Sequence, residues 1–281
     1  MVYFMSDVHG AVDAYFSLKE RVKFSKDDTM YIVGDILDGD NKKPENCLRI
    51  LDDVMNNKNI HLLLGNHEFA HIQFYLSYKD NDKEGMNMWR EYLVNPVCGG
   101  GPLLNYMTRM DKSDYHRYME YLSTQCEFYF YGPVGNINVF AIHGAPVSPT
   151  EDESNTVYDA LSTQIYFDQP ELHKNIAAML RCFETDQRKQ ILNKENLLVI
   201  AGHVPAKYLI EGNPGLSAKM LFREQPATPT QYVILHNDVL CLDCGCRANT
   251  LGKKNSSDGW KSNLSIARID NTGVHVGYHI P

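Results

Sequence analysis

Five short stretches of the sequence each place side chains that can bind a metal ion or carry a proton directly after an apolar run. They are SDVHG at 6–10, GDILDGD at 34–40, GNHE at 65–68, HG at 143–144 and GHVP at 202–205. Aspartate supplies a hard anionic oxygen, neutral histidine supplies nitrogen, and asparagine adds a carbonyl oxygen without charge. Such a mixed set suits Mn²⁺, Fe or Zn²⁺ better than Ca²⁺. The residue types therefore predict a transition-metal site.

The chemistry open to such a site is the activation of water beside a phosphoryl group. Two ions held about 3.5–4 Å apart polarise a phosphoryl group and lower the pKa of a bound water. Asp7 and His9 alternate along the chain, so in an extended segment both side chains can face the same ion. Gly10 would then let the backbone turn tightly into the next element.

The elements that must position these residues alternate between strand and helix in the first part of the chain. Short apolar runs typical of strands occupy 1–6, 29–35 and 60–66, and helical patterns lie between them. This βαβαβ order predicts parallel strands covered by helices. Ligands bind at the carboxyl ends of strands in such sheets, so the polar side chains should converge at one edge.

The remainder of the chain predicts helical insertions and a second sheet. Helical patterns fill 68–125 and 150–195, and 127–143 predicts a hairpin with a turn at Gly135 and Asn136. Strand patterns are bunched toward the end of the chain, which predicts a second, largely antiparallel sheet packed on the first. We expect one α/β domain over 1–281 that carries the two helical insertions.

The composition is that of a globular protein without a disulfide framework. The chain has 281 residues, 43% of them hydrophobic, a net charge of -8 and no Lys/Arg cluster, which makes nucleic-acid binding an unfavoured function. It has no apolar run of about 18 residues and no secretory signal pattern, so we expect no membrane segment and a cytoplasmic location. Seven irregularly spaced cysteines indicate reduced thiols.

Taken in order, the five stretches resemble the motifs of the calcineurin-like metallophosphoesterases. The set D-x-H-G, G-D-x-x-D-G, G-N-H-E, H-G and G-H-x-P runs from Asp7 to Pro205. Within that family it looks most like the bacterial phosphoprotein phosphatase and diadenosine tetraphosphate hydrolase branch, and LDCGC at 242–246 is a weaker further match. The resemblance implies a four-layer αββα sandwich with mixed β-sheets.

The resemblance also implies a pair of metal ions and their ligands. Asp7 and His9 would hold the first ion, and Asp35 would bridge it to the second. The residues that complete the second site would be Asn66, His143 and His203. The cofactors would be two divalent transition-metal ions, with Mn²⁺ favoured and Fe or Zn²⁺ as alternatives.

The activity implied is phosphoester hydrolysis like that of the serine/threonine protein phosphatases. A metal-bridging hydroxide would attack in line, His67 would protonate the leaving oxygen, and Asp38 would orient His67. The substrate would be a phosphorylated small molecule, a nucleotide or a phosphoprotein. Two alternatives stay open, namely a dinucleotide polyphosphate hydrolase and a non-catalytic module that binds a phosphorylated ligand.

Two positions depart from the branch. Gly39 and Leu64 stand where its members carry arginines that clamp phosphate oxygens, and neither residue can form a bidentate contact. Arg247 could replace part of this clamp or could be an ordinary loop residue. The cysteines near it, in CLDCGC at 241–246, could join His236 in a zinc site, but the spacing lacks a second pair and buried thiols are the favoured interpretation.

Overall fold

The computed structural model describes residues 1–39, 42–96, 98–144, 197–203, 219–220, 234–236, 239–246 and 263–279. The helices in these residues are α1 (Val12–Arg21), α2 (Glu45–Asn56), α3 (Asn66–Lys79), α4 (Lys83–Val94), α5 (Gly101–Met107) and α6 (Lys112–Gln125). The strands are β1 (Val2–Met5), β2 (Thr29–Val33), β3 (Ile60–Leu63), β4 (Phe130–Val134), β5 (Ile137–Ala141), β6 (Leu197–Ala201), β7 (Lys219–Met220), β8 (Ile234–His236), β9 (Val239–Cys241), β10 (Ser265–Asp270) and β11 (Gly273–Tyr278).

The first sheet has the strand order β3-β2-β1-β10-β11-β7. Its first three strands are parallel, with Val2 opposite Thr29 and Met30 opposite Ile60. Helices α1 and α2 connect them, so the predicted βαβαβ start is confirmed. Parallel pairing places the carboxyl ends of β1, β2 and β3 side by side, where the first three motifs begin.

The second sheet is mixed and has the order β4-β5-β6-β9-β8. The predicted hairpin is confirmed as the antiparallel pair β4 and β5, whereas β5, β6 and β9 are parallel to one another. The prediction of a largely antiparallel second sheet was wrong. Strands β10 and β11 join the first sheet instead, because β10 pairs antiparallel with β1.

The sheets pack face to face over an apolar core to which both contribute. Phe4 and Val33 of the first sheet share this core with Val139 and Ile200 of the second. Residues next to them along β1 and β2 point the opposite way and pack in a second cluster with α1, α2 and α3. Period-two alternation of a strand produces these two faces. Two mixed sheets with covering helices confirm the predicted α/β class.

Helices α3 to α6 fall within the segment from Asn66 to Gln125, close to the first predicted insertion at 68–125. The second, at 150–195, lies outside the described residues, and the single domain over 1–281 stays a prediction. Within the part of the chain that the structure describes, every helix is too short or too polar to cross a lipid bilayer.

Candidate metal centre

Six parallel strands, three from each sheet, end directly before the polar residues of the candidate site. These residues are Asp7 and His9 after β1, Asp35 and Asp38 after β2, Asn66 and His67 after β3, His143 after β5, His203 after β6 and Asp243 after β9. The strand-end loops are also joined by backbone hydrogen bonds within each sheet, such as Asp7 N–H to the Gly34 carbonyl (3.1 Å) and Gly202 N–H to the His143 carbonyl (2.9 Å). The two sheets thus bring their carboxyl ends to one place.

Asp35 lies at the centre of this arrangement. Its Oδ2 is 3.7 Å from His9 Nε2, 3.7 Å from His67 Nε2 and 3.2 Å from His143 Nε2. Its Oδ1 accepts the backbone N–H of His67 (3.1 Å). One carboxylate oxygen therefore faces imidazole nitrogens from three different strand ends.

The other predicted ligands surround Asp35. His143 Nε2 is 3.2 Å from Asn66 Oδ1, and its ring centroid is 5.2 Å from that of His203. Ligand atoms of Asp35, His143 and His203 all lie within 4.8 Å of one another. Asp7 accepts the backbone N–H of His203 at 3.0 Å on Oδ2 and lies 3.9 Å from His9 Nε2. The structure brings all six predicted ligands together.

Hydrogen bonds to backbone carbonyls set the tautomers of two of these histidines. His9 Nδ1 donates to the carbonyl of Leu37 (2.8 Å), and His143 Nδ1 donates to the carbonyl of Val33 (2.8 Å). A carbonyl oxygen only accepts, so Nδ1 must carry the hydrogen, and the lone pair of the neutral ring then lies on Nε2. This is the arrangement that orients an imidazole as a metal ligand.

The charges of the site fit a cation. Burial raises the pKa of the Asp7 carboxyl to about 6, with an opposing effect of His143 and a further increase from Asp35. Burial also raises the pKa of Asp243 well above its usual value, and Asp7 adds to that shift. Three buried carboxyl groups in mutual repulsion, beside oriented imidazoles, form a donor set that divalent ions would stabilise.

Five of the site residues hold their backbone in the left-handed region. The φ angles are 53° at Asp7, 44° at His9, 56° at Asp35, 58° at Asp38 and 68° at His203. Non-glycine residues seldom adopt such angles, although aspartate and histidine do so more often than most. Their concentration at one site indicates that these residues are present for their side chains, because glycine would adopt the same backbone conformation at lower cost.

Asp38 and His67 form a buried pair beside Asp35. His67 Nδ1 donates to Asp38 Oδ2 (2.9 Å), and His67 is only 3% exposed. Burial alone would lower the pKa of the His67 imidazole, but the charges of Asp35 and Asp38 raise it well above its usual value. The pair is covered by the loop before α5, where Cys98 Sγ is 3.9 Å from His67 Nδ1. The His67 ring is thereby held with Nε2 toward Asp35.

Glu68 ties two of the strand-end loops together. Its Oε2 accepts the backbone N–H groups of Asp35 (2.8 Å) and Gly65 (3.1 Å), and its Oε1 accepts those of Ile36 (2.9 Å) and Leu37 (3.1 Å). The side chain is fully buried. Four donors on one carboxylate fix the loop after β2 against the start of α3, and so fix Asp35 relative to the residues of α3.

Glu68→Gln should therefore destabilise the fold. In glutamine an NH₂ group replaces one of the two carboxylate oxygens, so two backbone N–H groups face a donor and lose their acceptor. Each N–H group left unpaired in the interior costs about 1–3 kcal/mol. We expect the free energy of unfolding, measured with urea, to fall by roughly 2–6 kcal/mol. Glu120→Gln makes the same chemical change at an exposed position of α6 and should leave it unchanged. Equal stability of the two variants would contradict this assignment.

The structure shows what surrounds the two positions where arginines were expected. A Cβ atom on Gly39 would lie 1.7 Å from the backbone oxygen of His9, so no side chain fits there without movement of the loop after β1. Leu64 is 2% exposed and packs in the cluster formed with the helices. A side chain at position 39 would collide with the loop after β1, and the side chain at position 64 packs in the core.

An arginine at position 39 should consequently destabilise the fold. We expect Gly39→Arg to lower the melting temperature, because overpacking a filled space typically costs about 1–3 kcal/mol and His9 would have to move. Gly101→Ala is a matched control, since its Cβ would meet nothing closer than 3.6 Å. A Gly39→Arg variant that binds inorganic phosphate more tightly at unchanged stability would refute this explanation.

Three residues of the site received no role from the sequence. Glu68 belongs to the motif G-N-H-E, which by itself gives it no role. His71 lies one helical turn after His67, with Nε2 2.8 Å from Asp38 Oδ1. Asp243 follows β9 as the other acids follow their strands, which was the available signal. Its Oδ1 accepts the backbone N–H of Gly245 (2.7 Å).

The cysteines of the stretch 241–246 are confirmed as buried thiols. Burial raises the pKa of the Cys244 thiol well above its usual value, which keeps it protonated. The alternative zinc ligand His236 has its side chain outside the described residues, as has Arg247.

Comparison with known proteins assigns the family. The model of the family described as calcineurin-like phosphoesterase matches residues 1–234 of the 281 in the chain. The chain belongs to the calcineurin-like phosphoesterase family. The resemblance indicated by the five motifs is thus confirmed. As its name says, the family consists of hydrolases that act on phosphoester bonds. The family also implies divalent metal ions, which agrees with the donor set around Asp35.

This phosphoesterase is similar to curated relatives over part of their length. A symmetrical bis(5'-nucleosyl)-tetraphosphatase of Buchnera aphidicola subsp. Acyrthosiphon pisum (strain 5A) is 32% identical over 96 residues, which are 34% of this chain and 33% of that protein. The corresponding protein of subsp. Baizongia pistaciae (strain Bp) is 31% identical over 85 residues, 30% of each chain. The match spans about one third of the length of these relatives.

Solved structures of low sequence identity also align with the phosphoesterase. A protein serine/threonine phosphatase from Saccharomyces cerevisiae aligns with a TM-score of 0.47 and 13% identity, over 100% of this chain and 79% of its own. A metallophosphoesterase from Sphaerobacter thermophilus aligns with a TM-score of 0.43 and 15% identity, over 99% of this chain and 88% of its own.

Proposed function

We propose that this protein is a phosphoester hydrolase that depends on two divalent metal ions. The single observation that carries the proposal is the meeting of six strand ends around Asp35, whose Oδ2 faces imidazole nitrogens of His9, His67 and His143 within 3.7 Å. Isolated capping residues at separate strand ends would have no reason to place three imidazoles around one buried carboxylate. Free cysteines and a reducing compartment go together, so we place the enzyme in the cytoplasm.

The proposed ligands divide into two sets that share Asp35. Asp7 and His9 would hold one ion together with Asp35. The second ion would be held by Asp35, Asn66, His143 and His203. Bound there, the ions supply positive charge that polarises a phosphoryl group and acidifies water. Mixed oxygen and nitrogen donors suit Mn²⁺, which we propose over Fe and Zn²⁺.

The protein's own contribution is to hold a proton where the leaving group departs. His67 carries it on Nε2, on the side that faces Asp35, and Asp38 accepts from Nδ1 and so fixes the ring. Proton transfer from Nε2 to the leaving oxygen would avoid release of a free alkoxide. The three-way burial of Asp35, Asp38 and His67 excludes bulk water from this transfer.

A dinucleotide polyphosphate is the second candidate substrate. It is favoured by the relatives, which are named symmetrical bis(5'-nucleosyl)-tetraphosphatases. The same ligand set would serve a phosphate anhydride as well as an ester, because both present a phosphoryl group with an oxygen leaving group. A third candidate is a module that binds a phosphorylated ligand without cleaving it. The absence of arginine at positions 39 and 64 supports this candidate.

Metal analysis and a substrate panel test the proposal together. Protein purified without added metal should contain about two equivalents of transition metal by mass spectrometry, and chelation should lower its melting temperature. With Mn²⁺ added, p-nitrophenyl phosphate, a phosphoserine peptide and diadenosine tetraphosphate should be compared at equal concentration. Turnover of an ester supports the proposal, turnover of the dinucleotide alone supports the second candidate, and binding without turnover supports the module.

A further inference from the structure

Asp38 is held from two sides by histidines that lie one turn apart on α3. His67 Nδ1 is 2.9 Å from Asp38 Oδ2, and His71 Nε2 is 2.8 Å from Asp38 Oδ1. We propose that His71 is a positioning residue for the hydrolysis, which fixes the Asp38 carboxylate in the plane that aims His67 at the leaving oxygen. This inference rests on the proposed function and adds a third member to the Asp38–His67 pair.

The direction of both hydrogen bonds follows from the acceptor. An ionised carboxylate can only accept, so His71 donates from Nε2 and His67 donates from Nδ1. Each oxygen of Asp38 thus has its own imidazole donor, and rotation of the carboxylate would break both bonds at once. With one donor removed, the remaining bond would allow the carboxylate to turn about it.

The surroundings of Asp38 make this second donor important. The Asp38 side chain is fully buried, and His71 is 2% exposed. Burial by itself favours the neutral acid, but His71 and then His67 hold the pKa of Asp38 below its usual range. A Cβ atom on Gly100 would lie 2.7 Å from Asp38 Oδ2, so backbone closes the remaining side. Water is therefore poorly placed to replace a lost donor.

A purely structural role for His71 is the competing explanation. A buried histidine in a helix interior can simply satisfy a polar partner and stabilise packing. The two roles differ in what they predict for the reaction. A structural residue would affect all substrates alike, whereas a residue that orients the general acid matters most when the leaving group is a poor one that needs protonation.

The test uses two variants of His71 and two esters. Gln keeps a donor nitrogen near the Nε2 position, and Met has a similar length without a donor. We expect His71→Met to lower kcat about 10–100-fold on an alkyl phosphate such as a phosphoserine peptide, which is part of the roughly 10²–10⁴-fold that a positioned general acid contributes. On p-nitrophenyl phosphate, which has a good leaving group, the loss should be less than about threefold. His71→Gln should restore most of the alkyl-phosphate activity.

A double-mutant cycle separates action through Asp38 from independent effects. In an Asp38→Asn background, His71→Met should cause little further loss, because the carboxylate it orients is gone. Tyr75→Phe is the matched control, since it removes one hydrogen bond to His116 (3.0 Å) one turn further along α3. It should change the melting temperature and leave the ratio of the two activities unaltered.

Three results would each overturn the inference. Equal loss on both esters, or a full additive loss in the Asp38→Asn background, would show that His71 only supports the fold. Failure of Gln to restore activity at normal melting temperature and metal content would do the same. A wild type that hydrolyses neither ester would overturn the proposed function and this inference together, so the two failures can be told apart.

Discussion

Replacing Asp35 with alanine is expected to abolish hydrolysis and metal binding together. Its Oδ2 is the group nearest to the imidazoles of three strand ends, and in our proposal it is the ligand that both ions share. Loss of one electrostatic stabiliser already costs roughly 10²–10³ in kcat, so loss of the shared ligand should reduce turnover by at least about 10³-fold. Metal content, measured on the same sample, should fall below one equivalent.

Asp52→Ala is the matched control for this prediction. Asp52 is a partly exposed acid of α2 that pairs with Arg117, and its removal makes the same chemical change away from the site. Both variants should be compared by circular dichroism, because Asp35 Oδ1 also accepts the backbone N–H of His67. Should Asp35→Ala keep two equivalents of metal and measurable turnover, the ligand assignment would have to be abandoned.

The second large effect is expected at His67. His67→Ala should lower kcat on alkyl phosphates by about 10²–10⁴-fold, which is the usual contribution of a positioned general acid. Metal content should stay at that of the wild type, because in our proposal His67 donates a proton and is not a ligand. The reduction should be much smaller with p-nitrophenyl phosphate as substrate. Parallel measurement of metal and of both esters checks all three statements.

His61→Ala provides the comparison for His67. His61 lies on β3, pairs with Glu127 at 2.9 Å and is partly exposed, so its loss should leave turnover unchanged. If His67→Ala lost metal as well as activity, His67 would belong to the ligand set instead. Turnover equal to that of the His61 variant would remove His67 from the reaction altogether.

The sequence placed the residues of the candidate site at strand ends correctly but misplaced some strands in the sheets, because the two predictions depend on different information. Each motif begins where an apolar run ends, and this local pattern marks Asp7, Asp35 and His143 without knowledge of which strands pair. The position of β10 beside β1 depends on contacts between residues far apart in the chain. No local signal separates a strand that closes the first sheet from one that extends the second, so the strands bunched at the end of the chain were misassigned.

The residues that support the ligands were hard to predict for a related reason. The role of Glu68 depends on four backbone N–H groups that converge on its carboxylate. Every residue except proline has a backbone N–H, so the residue types at these four positions do not reveal the contact. The steric exclusion at Gly39 likewise depends on His9, thirty residues away. His71 is the exception, since spacing of four along a helix places it on the face of His67.

The left-handed backbone at five site residues lowers the stability of the fold at positions that the proposed function needs. Such conformations cost of the order of 1–3 kcal/mol each, and glycine would relieve much of that cost at any of the five. Glycine there would also delete a ligand or the partner of His67. A search for heat-resistant variants should therefore enrich proteins that are altered at these positions and have lost the proposed activity.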